Sequence, residues 1–169
     1  TSNYILSSME SEKKNFDEVL LNAKRLGFAE TNPSADLNGD DVSSKLKILA
    51  SLCFNSLLNN NIYVEGIKDI DQTDINNANN LGYKIKLLGF AEMLKNKLYQ
   101  RVHPTLIKKD SYVAGIDGVL NAVIIDGKPV GQNIIQGEGA GPAATTSALV
   151  SDISSILRGN IKFPFSLST

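Results

Sequence analysis

The chain has 169 residues, long enough for one well-packed domain and short for two. With 17 Lys+Arg against 18 Asp+Glu the formal charge is −1 and no long block of like charge exists, so neither nucleic acid nor an anionic membrane is an expected partner. No apolar run approaches the ~18–20 residues needed to cross a bilayer, and the start lacks a signal-peptide layout, so a soluble, cytoplasmic protein is expected.

The chain opens on TSNYILSSMESEKK without an initiator Met, and its first residues already read as the inside of a domain. Asn15 is placed to cap a helix, with Glu18 at capping-box spacing. Phe16, Val19, Leu20, Ala23 and Leu26 form the apolar stripe of that helix, and Gly27 ends it.

Residues 30–45, ETNPSADLNGDDVSSK, then gather acids around turn formers. Asn32, Pro33, Asn38 and Gly39 place Glu30 and Asp36 on an irregular connection. A helix follows, with Asp40 the expected N-cap and Val42, Leu46, Leu49, Cys53 and Leu57 spaced as one apolar face. Cys53, the single cysteine, is therefore expected to be a buried thiol in a reducing compartment. Asp41 and Lys45, at i and i+4, rise from the same side toward the loop that carries Glu30 and Asp36. By spacing alone this is an ordinary surface pair, worth ~0.3–0.5 kcal/mol.

The tract NSLLNNNIYVEGIKDID reads as a helix end, a short β segment and a turn. Asp71 or Thr73 caps a further helix through Ile75, Ala78 and Leu81, closed by Gly82. YKIKLLGFAEML is expected as a central strand. Lys86 within it must pair with a carboxylate or leave the sheet. KLYQRVHPTLI is a second strand, broken at His103-Pro104 because proline removes a ladder donor. His103 is the only histidine, and no second ligand or serine lies at informative spacing, so no metal site is expected. VLNAVIIDGKPVGQNIIQ reads as a hairpin around Asp126-Gly127. Gly137, Gly139 and Gly141 then lead into a helix from about Thr145 to Arg158. A glycine-rich loop of this kind offers backbone N–H groups to an anion or a polar cofactor edge, yet the dinucleotide G-x-G-x-x-G spacing fails after Gly141.

The 30–45 run resembles the segment E-x-D-P-x-x-D-(V/L)-x-G-x-D-x-x-x-K of homoserine dehydrogenases. Glu30, Pro33, Asp36, Gly39, Asp41 and Lys45 fall on its fixed positions, and Asn32 replaces the usual Asp. The opening is similar to the family's G-T-x-N-Y-I-L, and Gly82 to Leu88 to its G-Y-x-I-K-L-L. Val102 to Ile107 resemble V-x-P-T-L-(I/V), and Gly118 to Gly131 the family's G-x-x-N-A-V-x-x-x-G-x-x-V-G. Gly137 to Leu149 resemble G-x-G-A-G-x-x-P-T-A-S-A-V, with Ala144 where the family has proline. The likeness runs to about Arg158, and residues 159–169 are similar to the start of a linker toward a regulatory ACT domain.

The resemblance implies an α+β catalytic and dimerisation domain spanning residues 1–169, with a mixed sheet of four or five strands and helices packed on one face. It implies interconversion of L-homoserine and L-aspartate 4-semialdehyde with NAD or NADP, on the route to threonine and methionine. Lys45 would transfer the proton, with Lys86 the second candidate. Glu30, Asp36 and Asp41 would hold the substrate, and Gly141 and Gly139 would meet the cofactor. Burial would be needed to lower the pKa of a lysine from ~10.4, and neighbouring acids would oppose the shift. A homodimer is expected, with the first and last helices contributing. The family's nucleotide-binding domain has no counterpart here, so a fragment inactive by itself is expected. Two alternatives remain: a non-catalytic dimerisation or amino-acid-binding module, and a semialdehyde dehydrogenase working through a cysteine nucleophile. The apolar setting expected for Cys53 argues against the latter.

Overall fold

The structure, a computed structural model, describes residues 1–55, 62–139 and 141–160. Leu57, Ala140 and residues 161–169 of the expected linker lie outside the described residues. The described helices are α1 (Ser2–Glu12), α2 (Phe16–Arg25), α3 (Ser34–Asn38), α4 (Asp40–Phe54), α5 (Gln72–Asn80) and α6 (Pro142–Leu157). The strands are β1 (Tyr63–Val64), β2 (Tyr83–Leu94), β3 (Lys97–Lys108), β4 (Leu120–Gly127) and β5 (Gly131–Glu138). No described helix is long and apolar enough to cross a membrane.

Local signals hold where the sequence places them. Asn15 caps α2 by accepting from the Glu18 N–H at 3.0 Å. Asp71 caps α5 in a reciprocal box, accepting from the Asp74 N–H at 2.9 Å while Asp74 accepts from the Asp71 N–H at 3.1 Å. Such caps satisfy helix N–H groups that have no partner within the helix.

The fold is α+β with a mixed sheet. Its five strands, however, form two sheets: β1-β3-β2, with β1 parallel and β2 antiparallel to β3, and a separate hairpin β4-β5. The strand expected to be central, β2, is at an edge, and β3 is central. Pro104 does not break β3, and the reason lies in its neighbour. The Val102 carbonyl faces β1, accepting from the Glu65 N–H at 2.8 Å, and Pro104, two residues on, presents its ring nitrogen to the same side. There β1 has already ended at Val64, so no donor is missed. The hairpin also differs in detail: Gly127 pairs with Gly131, which puts the turn at residues 128–130, past Asp126-Gly127.

The core gathers Ile5, Leu6, Met9, Val19, Leu37, Ile67 and Ile75, with Ile85 and Leu87 packed against it. Ile85, Leu87 and Gly89 share one face of β2 by the two-residue period. A Cβ on Gly89 would stand 3.2 Å from Val42 and 3.4 Å from Leu46, so α4 lies close on this strand. That closeness explains a correction. Beside Leu46, the buried residues of α4 are Ser43, Ala50 and Ser51, small side chains that permit the approach, and Cys53 is exposed. Asp40 is the first residue of α4 rather than its cap, a position taken by Gly39.

Candidate active site

The 30–45 segment is folded more tightly than a loop. Residues 34–38 close into α3, and Gly39, with φ 87°, turns the chain into α4. Three contacts hold this turn. The Ser2 hydroxyl donates to the Asp36 carbonyl at 2.8 Å, and the Ile67 N–H donates to the Leu37 carbonyl at 2.8 Å. Gly66 passes so close that any Cβ there would overlap the Leu37 carbonyl oxygen. At Gly39 the left-handed backbone favours glycine, and a Cβ would press on Val64 at 3.1 Å and on the Glu65 carbonyl at 3.2 Å.

Across the first turn of α4, Lys45 Nζ stands 2.7 Å from Asp41 Oδ2, with the two side chains 61% and 39% exposed. The Asp36 backbone is held at the start of α1 through Ser2, and α3, which carries Asp36, runs through Gly39 into α4, which carries Asp41 and Lys45. Glu30 is exposed and makes no hydrogen bond or ion pair among the described residues. One cation is thus paired with one carboxylate, Asp36 lies on the adjoining helix, and Glu30 stands apart. A solvent-reachable ammonium beside carboxylates can pass a proton, and the carboxylates can accept a cationic amino group.

A second polar centre, built around Lys86, is buried. This residue is 4% exposed, and its ammonium donates to Asn3 Oδ1 at 2.9 Å, to the Ile116 carbonyl at 2.6 Å and to Asp117 Oδ1 at 2.6 Å. Burial lowers its pKa, while Asp117 pulls it back and the Lys84 charge adds to the lowering. Lys84 lies 2.8 Å from Asp117 Oδ2 and 3.3 Å from Glu10 Oε2; burial opposes its charge, but these two carboxylates raise its pKa. Asp117, though burial alone would raise it, is held below the usual carboxylate range by hydrogen bonds from both lysines. Beside this network a cleft of about 470 Å³ opens, lined by Glu10, Lys84, Lys109 and Asp117 among others, and neither Lys45 nor Asp36 lines it. The only sequence signal for the centre is a lysine inside an apolar strand, which requires a carboxylate without naming one.

At the end of β5, the Gly139 N–H donates to the Val119 carbonyl at 3.2 Å, and a Cβ on Gly139 would overlap the Asn121 amide. Gly141 has φ 104° and caps α6, with nothing within 4 Å of where a Cβ would stand. Its carbonyl accepts from the Thr145 N–H and hydroxyl at 3.2 and 3.1 Å.

His103 belongs to a surface cluster, accepting from Arg101 Nε at 3.1 Å and stacking on Phe90 at 5.9 Å between ring centroids. Among the described residues, no three His, Cys, Asp or Glu side chains converge to hold a metal.

The chain matches the homoserine dehydrogenase family over residues 1–154. The homoserine dehydrogenase of Synechocystis sp. is 46% identical over 162 residues, covering 93% of this chain and 37% of that protein. Among solved structures, the homoserine dehydrogenase of Thiobacillus denitrificans superposes with a TM-score of 0.87 at 40% identity, covering 99% of this chain and 39% of that one. A hyperthermophilic archaeal homoserine dehydrogenase mutant in complex with NADPH gives a TM-score of 0.67 at 28% identity, over 91% of this chain and 43% of that one. The chain spans less than half the length of these relatives. With a match over residues 1–154 and the same fold at 40% identity, the chain belongs to the homoserine dehydrogenase family.

Proposed function

We propose that this chain is the substrate-binding and catalytic part of a homoserine dehydrogenase, an oxidoreductase that interconverts L-homoserine and L-aspartate 4-semialdehyde with NAD or NADP. The observation that supports this reading is the pairing of Lys45 with Asp41 on α4, next to α3 with Asp36, within the residues that match the family. Lys45 passes the proton at the substrate's terminal oxygen, giving it up when aldehyde is reduced and taking it when alcohol is oxidised. Asp36 and Asp41 receive the substrate ammonium, and the exposed Glu30 is free to turn toward it.

The bound nicotinamide supplies the hydride acceptor or donor. On this chain, Gly141 and the N–H groups at the start of α6 would meet its polar edge, with Gly139 fixing the strand end before them. Most of the cofactor would be held by sequence beyond these residues, in a longer cytoplasmic polypeptide serving threonine and methionine synthesis. A homodimer fits as well. Of the two helices expected to contribute, α1 already places Ile5, Leu6 and Met9 in the core, whereas α6 keeps its apolar residues exposed.

The test is homoserine oxidation by the longest polypeptide the gene encodes, with NAD and NADP, beside residues 1–169 alone. Turnover by the longer chain and none by the shorter is expected. No turnover by the longer chain with either cofactor would overturn the reading and leave a binding module.

A further inference from the structure

The first turn of α1 joins segments that lie far apart in sequence. The Thr1 hydroxyl donates to the Phe28 carbonyl at 2.7 Å, and Ser2 to the Asp36 carbonyl at 2.8 Å. The Asn3 amide donates to the carbonyls of Ile116, Gly118 and Leu120 at 2.9, 3.2 and 2.9 Å. The remaining atom of that amide, Oδ1, is held by Lys86 Nζ at 2.9 Å, and the same ammonium bonds the Ile116 carbonyl and Asp117. An ammonium has three protons, and all of them are engaged. Lys86 therefore has none to offer a substrate, and it is not a second acid at this site.

Its burial has another consequence. Replacing a whole buried ion pair by apolar groups of similar volume is often neutral for stability, whereas removing one partner is costly, and the pair admits few geometries. We propose that Lys86 is a positioning residue for the candidate active site: clamped by Asp117, it fixes Asn3 and so the first turn of α1, and that turn holds Asp36 through Ser2. The inference rests on the reading of Asp36, Asp41 and Lys45 as the substrate site.

A double-mutant cycle of Lys86→Met and Ser2→Ala in the longest encoded polypeptide tests it, with KM and kcat measured per folded protein for homoserine and for the cofactor. The expected result is a loss of roughly 10–100-fold in kcat/KM for homoserine in Lys86→Met, with the cofactor KM unchanged. The double variant should lose little more than Lys86→Met alone, since both act along one path. Wild-type homoserine kinetics in folded Lys86→Met, or losses that multiply independently, would overturn the inference. If Lys86→Met gives no folded protein, Asp117→Asn takes its place with the same two outcomes. Lys45→Ala runs alongside. If it keeps wild-type turnover, the reading of the site falls and the inference with it; if it abolishes turnover while the cycle is additive, only the inference falls.

Discussion

The two ends of the chain differ in how they bury apolar surface. From α1 to β3, helices and sheet close on a core in which Ile5, Met9, Ile67 and Val102 are fully covered. In β5 and α6 no residue is buried, and Leu149, Val150, Ile153, Ile156 and Leu157 stand 56–82% exposed. A two-stranded hairpin is marginal by itself in water. The contrast shows where each half of the candidate site obtains its geometry. The helices α3 and α4, which carry Asp36, Asp41 and Lys45, are set by packing within these residues, whereas Gly139 and Gly141 belong to a region whose apolar surface still needs a cover.

The comparison can be broken at matched positions. Gly66→Ala should unfold the chain most readily, by about 3–5 kcal/mol in a denaturant titration, because the added Cβ meets the Leu37 carbonyl and neither backbone can retreat. Gly137→Ala, in β5 with nothing within 4 Å of its Cβ position, should move stability by no more than about 0.5 kcal/mol. Next in size, Ile5→Ala should cost about 2–5 kcal/mol through the cavity it leaves. Ile153→Ala on α6 should cost about 0.5 kcal/mol or less in the monomer, and an equally large loss there would mean that α6 is covered in solution.

Smaller effects sharpen the contrast within the packed half. The Asp117 carboxyl is held below its ordinary value by Lys84 and Lys86, so its contribution is complete above pH ~4 and is lost as pH falls through the folded-state value. Urea midpoints at pH 7, 4 and 3 should show a smaller acid loss in Asp117→Asn than in the native sequence. Smaller still, Asp71→Ala should cost about 1 kcal/mol through loss of the α5 cap.

What was legible in the sequence was local. Asn15, Asp71 and the existence of a β4–β5 hairpin follow from residues within a turn of one another, although the turn lies at residues 128–130 rather than at Asp126-Gly127. The five residues of α3 are too few to carry a period. Pro104 was misread because its tolerance depends on where β1 stops, about 40 residues earlier in the chain. Cys53 lies off the buried side of α4 because that side runs through Ser43 and Ser51 beside Leu46 and Ala50, and an apolar count passes over serines. In the site, the motif named Asp41 and Lys45, and their pairing follows from helical spacing. The Lys86 network was not legible, since its partners Asn3 and Asp117 are 83 and 31 residues away.

The most direct measurement is kcat for homoserine oxidation by Lys45→Ala in the longest encoded polypeptide, with its unfolding midpoint recorded beside it. Lys45 is 61% exposed and shares only a surface ion pair with Asp41, so the midpoint should stay within about 0.5 kcal/mol of the native value. The account predicts that kcat falls by about 10²–10⁴. A folded Lys45→Ala enzyme with native kcat would contradict it.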